Sequence, residues 1–272
     1  MRFPLPALGL ACLIVPLSAH PDPGHTLAEI DSHLAESPDD PELLRRKAEL
    51  FLQTGHVRQA IPVAVKALSI SPDDPATLLL QARVSVARKN PENAITRLEE
   101  INRRFPRFAD AWALMARLRH EAGNTDGAIT AKLRQLETDD QPAPVDFLNA
   151  AAWLVQRAGS GDADMAVSLL DRGIGLFGNV IELQRSAIRL ECSLGRHDAA
   201  LRRVDTLVAR YRPSVEFSLL RADIHEAAGR YRDAASACDS AIALLDIETE
   251  SPPVAQLRES ILRRKEENLG RP

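Results

Sequence analysis

The chain has 272 residues, with 34 basic and 38 acidic side chains and a formal charge of −4. Charges so nearly balanced and so mixed along the chain exclude a strongly basic face for nucleic acid and an acidic tail. Aromatic residues make up only 4% of the chain and hydrophobic residues 45%, with alanine and leucine prominent, so the apolar surface is expected to be carried by helices.

At the start, Met1-Arg2 is a minimal positive segment and Leu5 to Val15 an apolar run broken by Pro6 and Gly9. Ser18-Ala19 offers small residues just before the polar His20-Pro21-Asp22-Pro23. The run is short for a bilayer span, and the pattern is that of a cleaved secretory signal over residues 1–19. An exported protein, periplasmic or secreted, with no stable membrane span after cleavage, is therefore expected. Cys12 lies in a poor lipid-attachment context, Gly9-Leu10-Ala11-Cys12. Cys192 and Cys238 would remain in the mature chain; two cysteines make no disulfide framework, and isolated, partly buried thiols are expected.

Residues 20–40 read as a linker and a capping helix. Leu27, Ile30 and Leu34 lie at helical spacing, Thr26 stands as N-cap with Glu29 three residues on, and Pro38 ends the segment. Residues 41–74 and 75–108 then repeat one pattern with a period of 34: Ala48, Ala60, Ala67 and Pro72 align with Ala82, Ala94, Ile101 and Pro106. The first copy places Leu43, Leu44, Ala48 and Phe51 on one helix, a turn at Thr54-Gly55-His56, and Ala60, Ile61, Ala64 and Ala67 on a returning helix. Each copy is two amphipathic helices brought close by small residues, and neither can bury its apolar face alone, so copies must stack, a single elongated pile being the better reading.

The pattern continues over 109–142 with Trp112, Met115, Ala116, Gly123, Ala128 and Ile129, Asp140 replacing the closing proline. Over 143–179 it holds with Leu148, Ala152, Trp153, Gly159, Ala166 and Leu170 if about two extra residues enter at Ser160-Gly161-Asp162. Further copies span 180–213, with Leu183, Gly195 and Ala200, and 214–248, with Phe217, Ala222, Gly229, Ala234 and Ala241. Residues 249–272 read as a C-terminal capping helix from Val254 to Leu269 and a tail. Trp112 is expected to pack in the core and Trp153 to be partly buried.

A bulky residue, a small one, an aromatic, a turn glycine, an alanine and a closing proline, in that order, resemble the tetratricopeptide repeat. The resemblance implies an all-α, right-handed α-solenoid of about six helix-turn-helix units over 41–248 with capping helices at both ends. It also implies a concave groove built from the first helix of each unit. By position, the inward places hold Arg45 and Glu49, Leu79 and Arg83, Ala113 and Arg117, Asn149 and Trp153, Arg185 and Arg189, then Leu219 and Asp223. Of these, Arg45, Glu49, Arg83, Arg117, Asn149, Trp153, Arg185 and Arg189 are the candidate peptide-binding residues. The five arginines, if they share one groove, suit the carboxylates of an acidic peptide; the alternative is that they are solvated or paired locally. The lysine and asparagine of the family's clamp for chaperone C-termini are absent, Arg45 and Glu49 standing in the first repeat.

The seven histidines form no ligand set at helical spacing, and no HExxH, GxSxG, CxxC or glycine-rich phosphate loop occurs. No catalytic residue, cofactor or metal site is expected, and the function expected is that of a non-catalytic scaffold for a protein or peptide partner. Two alternatives remain: a self-associating or envelope-complex assembly subunit, and a metal-related accessory protein acting through His20 and His25 near a new N-terminus.

Overall fold

The computed structural model describes residues 26–178, 180–246 and 251–271. The signal segment, Cys12, His20 and His25 lie outside them. The described residues form two compact units, one ending at Ala94 and the other beginning at Ile95. The sequence reading placed no boundary there.

The first unit holds α1 (Leu27–Glu36), α2 (Pro41–Gln53), α3 (Val57–Ile70), α4 (Pro75–Ala87) and the start of α5 (Pro91–Arg104). The second holds the rest of α5 and α6 (Ala109–Glu121), α7 (Thr125–Thr138), α8 (Pro144–Arg157), α9 (Asp162–Phe177), α10 (Ile181–Ser193), α11 (His197–Tyr211), α12 (Val215–Ala227), α13 (Tyr231–Leu245) and α14 (Pro252–Leu269). Among the described residues there is no strand, and the class is the expected all-α one, an α-solenoid of helix-turn-helix repeats.

Helix starts follow from local chemistry. Glu29 N–H donates to Thr26 Oγ1 at 3.3 Å while Thr26 N–H donates to Glu29 Oε2 at 2.6 Å, the reciprocal cap expected for α1. Asp40 and Asp74, 34 residues apart, cap α2 and α4, each followed by a proline at the first helical position, where its missing N–H costs nothing. Pro252 opens α14 in the same way, so that helix begins two residues before the expected Val254.

Most helix pairs are joined by three residues whose middle one has positive φ: Gly55, Gly123, Gly195 and Gly229, at 69° to 78°. Lys89 holds this place between α4 and α5 at φ 59°, a conformation less comfortable for a side chain. Between α8 and α9 the connection has four residues, one more than its siblings rather than the two expected. There Asp162 accepts from Arg157 Nε at 2.8 Å and from the Gly159 amide at 2.8 Å, closing the longer turn. Its carboxyl is held below the usual carboxylate range first by the Arg157 hydrogen bond, which outweighs its partial desolvation.

Packing within each unit rests on small residues. In the first, α2 packs on α3, and both contact α4. Ala48, Ala60, Ala64, Ala67 and Ala82 are fully buried, with Leu80 and Val84 filling between them. In the second, α6 with α7, α8 with α9, α10 with α11 and α12 with α13 are close pairs, and each second helix meets the next first helix. Phe147, Leu154, Leu170 and Leu183 make the largest core cluster there. Gly173 permits a close approach in that cluster, since a Cβ would lie 3.0 Å from Phe147 Cγ. Helix α14 covers the far side of α13 through Ile261, with Val254 packed against the same cluster.

An ionic ladder runs along the turn edge of the second unit. Arg157 meets Asp126 at 3.1 Å, Arg196 meets Asp164 at 2.5 Å, and Arg230 meets Asp198 at 2.6 Å. Each pair joins one helix pair to the next at a sequence separation of 31 or 32. Exposed pairs are individually weak, but this one recurs in register.

One core position breaks the pattern. Asn102 of α5 is 5% exposed, and neither its Nδ2 nor its Oδ1 has a hydrogen-bond partner among the described residues. The 34-residue period equates it with Leu68 and with Leu136, which is 1% exposed. A buried amide without partners costs about 1–3 kcal/mol. Asn102→Leu is expected to raise stability by about that amount in urea unfolding; a loss of stability would show that the amide does a job an apolar side chain cannot.

Candidate partner-binding face

The candidate residues lie on the first helix of successive pairs, and the two units treat them differently. In the first unit Glu49 on α2 takes up both neighbouring cations: Arg83 Nη1 of α4 lies 2.7 Å from Glu49 Oε1, and Arg45 Nη1 lies 3.8 Å from the same oxygen. Arg45 also pairs with Glu42. Both guanidiniums there have an acidic partner within the protein. Leu79, expected at an inward place, is 2% exposed. It is a core residue, because α4 is buried around much of its circumference by α2 and α3.

In the second unit Arg185 of α10 pairs with Glu216 of α12, which offsets part of the repulsion from Arg189 one turn on. Arg117 of α6 and Arg189 of α10 are exposed, and neither has an ion pair among the described residues. Asn149 of α8 is exposed as well. Thus three of the five candidate arginines are spent inside the protein and two are not, so the continuous basic stripe is not what the side chains form.

Trp153 of α8 is half-buried and already has neighbours. His120 of α6 stacks on its ring at 4.4 Å between centroids and 21° between planes, and the Lys132 ammonium of α7 lies 5.7 Å from the ring centroid. Lys132 is itself buried and donates to Gln135 Oε1 at 2.6 Å and to Asp146 Oδ1 at 2.9 Å. Gln135 Nε2 and the Ala143 amide complete the shell of Asp146 at 3.1 and 3.0 Å. Burial pushes the Asp146 carboxyl up, but the Ala143 amide and the Lys132 ammonium outweigh it and hold the group below the usual carboxylate range. Trp153 is therefore a positioned part of the α6–α7–α8 contact. Trp112, expected in the core, is only half-buried; its indole N–H donates to the Pro106 carbonyl at 2.9 Å.

Beside Trp153, on the flank of α8 that meets α10, the surface opens into a depression of about 410 Å³. Leu148, Ala151, Ala152 and Val155 of α8 form one wall and Ser186, Arg189, Leu190 and Ser193 of α10 the other, with Leu170 of α9 also lining it. Four of these residues are alanine or serine, and their small size leaves the gap unfilled. Among the described residues Arg189 is the only charged one lining it. A second, polar depression lies at the turn before α11, among Arg196, His197, Asp198, Arg202 and Arg230. Two of its arginines are engaged in the ladder.

Tetratricopeptide repeat family models match residues 55–118 and 187–247. The chain belongs to the tetratricopeptide repeat family. Among solved structures, the C-terminal part of a tetratricopeptide repeat protein from Cytophaga hutchinsonii is similar at a TM-score of 0.56 with 13% identity, covering 85% of this chain and 92% of that one. Yeast Tom70 is similar at a TM-score of 0.54 with 13% identity, covering 86% of this chain and 46% of that one. At such identities the likeness concerns the fold alone. No curated protein matches the sequence.

In this tetratricopeptide repeat chain no helix among the described residues is long and apolar enough to cross a membrane, and no group of three or more His, Cys, Asp or Glu is placed to hold a metal. Cys192 is half-buried and Cys238 buried, both as free thiols whose acidity burial weakens. Sequence reasoning missed the Lys132–Asp146 network and the α8–α10 depression. The signal for the first was a lysine and a glutamine one helical turn apart on a face that otherwise packs.

Asp146 provides a pH test. Its folded-state value is depressed, so its contribution is fully present above the unfolded value near pH 4 and is lost as pH falls through the lower folded value. Asp146→Asn should lose about 1–3 kcal/mol near neutral pH, and the gap to the parent chain should shrink as acid protonates Asp146. Urea unfolding from neutral pH down to about pH 2.5 measures this; a gap that stays constant would contradict the assignment.

Proposed function

We propose that this tetratricopeptide repeat protein is a non-catalytic scaffold in an exported compartment, periplasmic or secreted, that holds a protein or peptide partner bearing acidic groups against the first helices of its second unit. The export part of the reading is supported by the signal-like pattern of residues 1–19. The partner part is carried by one observation: Arg117 and Arg189 stand exposed on α6 and α10 without an acidic partner among the described residues, whereas Arg45, Arg83 and Arg185 on equivalent helices each pair with an acid. An exposed guanidinium is pre-shaped for bidentate recognition of a carboxylate and loses little by engaging one. The absence of recognisable catalytic motifs in the sequence agrees with a binding role.

The double variant Arg117→Glu, Arg189→Glu should weaken binding of a labelled acidic peptide by about tenfold or more, since each change replaces attraction by repulsion. Fluorescence anisotropy with a glutamate-rich dodecapeptide measures the affinity, and circular dichroism should show unchanged helix content. Equal affinity of the parent and the variant would remove these arginines from the binding face.

A further inference from the structure

The depression between α8 and α10 has a chemistry more specific than a basic face. Its lining is largely aliphatic: Leu148 and Val155 of α8, Leu170 of α9 and Leu190 of α10 face it, and Val155 remains 49% exposed. Ala152 and Arg189 are both exposed, one on each wall. Among the described residues no acidic side chain lines the space, and Arg189 has no ion pair. An apolar recess exposed to water favours a branched aliphatic group, and an uncompensated guanidinium at its edge favours a carboxylate beside that group. Neither a purely acidic nor a purely apolar segment satisfies both.

We propose that this depression binds a linear peptide segment in which a leucine, isoleucine or valine side chain enters between α8 and α10 while an aspartate or glutamate within two positions of it pairs with Arg189. This rests on the scaffold reading and names the sequence class that the scaffold selects. The recess gives the anchor and the arginine gives the register, so the preference is for a short aliphatic-acidic motif rather than for acidity alone.

Panning a random dodecapeptide phage library on the purified full chain tests this, followed by anisotropy titrations of the enriched peptides against the parent chain, Ala152→Phe and Arg189→Gln. Both substitutions are at exposed positions, and circular dichroism checks that the fold is kept. Enriched peptides should carry the aliphatic-acidic motif. Ala152→Phe should fill the recess and lower affinity about tenfold at any salt concentration, and Arg189→Gln should lower it about fivefold, an effect that fades in roughly 0.5 M salt. Enriched peptides without the motif, or with affinities that neither variant changes, would overturn the assignment while leaving the scaffold reading in place. Failure to enrich any peptide would overturn both. Concentration-dependent dimers of the parent chain that Ala152→Phe abolishes would assign the recess to a second copy and overturn the peptide proposal.

Discussion

Close approach of paired helices at buried alanines is the contact on which the rest of this protein depends. At Ala48, Ala60, Ala82, Ala116, Ala128, Ala166, Ala200, Ala222, Ala234 and Ala241 no side-chain surface reaches solvent. An alanine gives little apolar area by itself. Its value is that a methyl group lets neighbouring helices come close enough for the larger side chains beside it, such as Leu80, Met115 or Leu170, to interlock at interior density. Each pair still leaves an apolar flank, which the next pair covers, so stability is built from neighbour contacts within each unit.

Charge has been arranged around that packing in a way that bears on function. The ladder of Arg157, Arg196 and Arg230 with Asp126, Asp164 and Asp198 uses cations at the turn edge, and Glu49 and Glu216 take up those on the first helices. Of the five candidate arginines on the first helices, two are exposed without an ion pair among the described residues, one of them beside an apolar recess. A uniformly basic groove would attract any polyanion, whereas an isolated arginine next to aliphatic walls discriminates by side-chain order. Smallness serves twice, since the same preference for alanine and serine that packs the pairs leaves the space between α8 and α10 open.

The helices and their pairing were legible because their signals are local. The Thr26 cap and the turn glycines each depend on residues within a few positions of one another, and the 34-residue period is the recurrence of such local signals. The candidate face was legible in position but not in state. Whether Arg83 is free depends on Glu49 reaching it from another helix, 34 residues away in sequence, and no pattern along one helix reports that reach. Leu79 was assigned to the open wall by counting, although the apolar makeup of Pro75–Ala87 all round its axis was a sign that this helix is enclosed. The recess was invisible for the same reason as the pairings: four small residues on two helices define it only when those helices face each other.

The primacy of the alanine contacts is tested most directly by comparing two substitutions on the same helix. Ala60 of α3 is fully buried, and Val65, five residues on, is 55% exposed. In urea unfolding, Ala60→Arg should lose several kcal/mol, on the order of 3 or more, through overpacking and an unpaired buried charge, whereas Val65→Arg should stay within about 0.5 kcal/mol of the parent chain. Equal and small losses for the two variants would contradict the account.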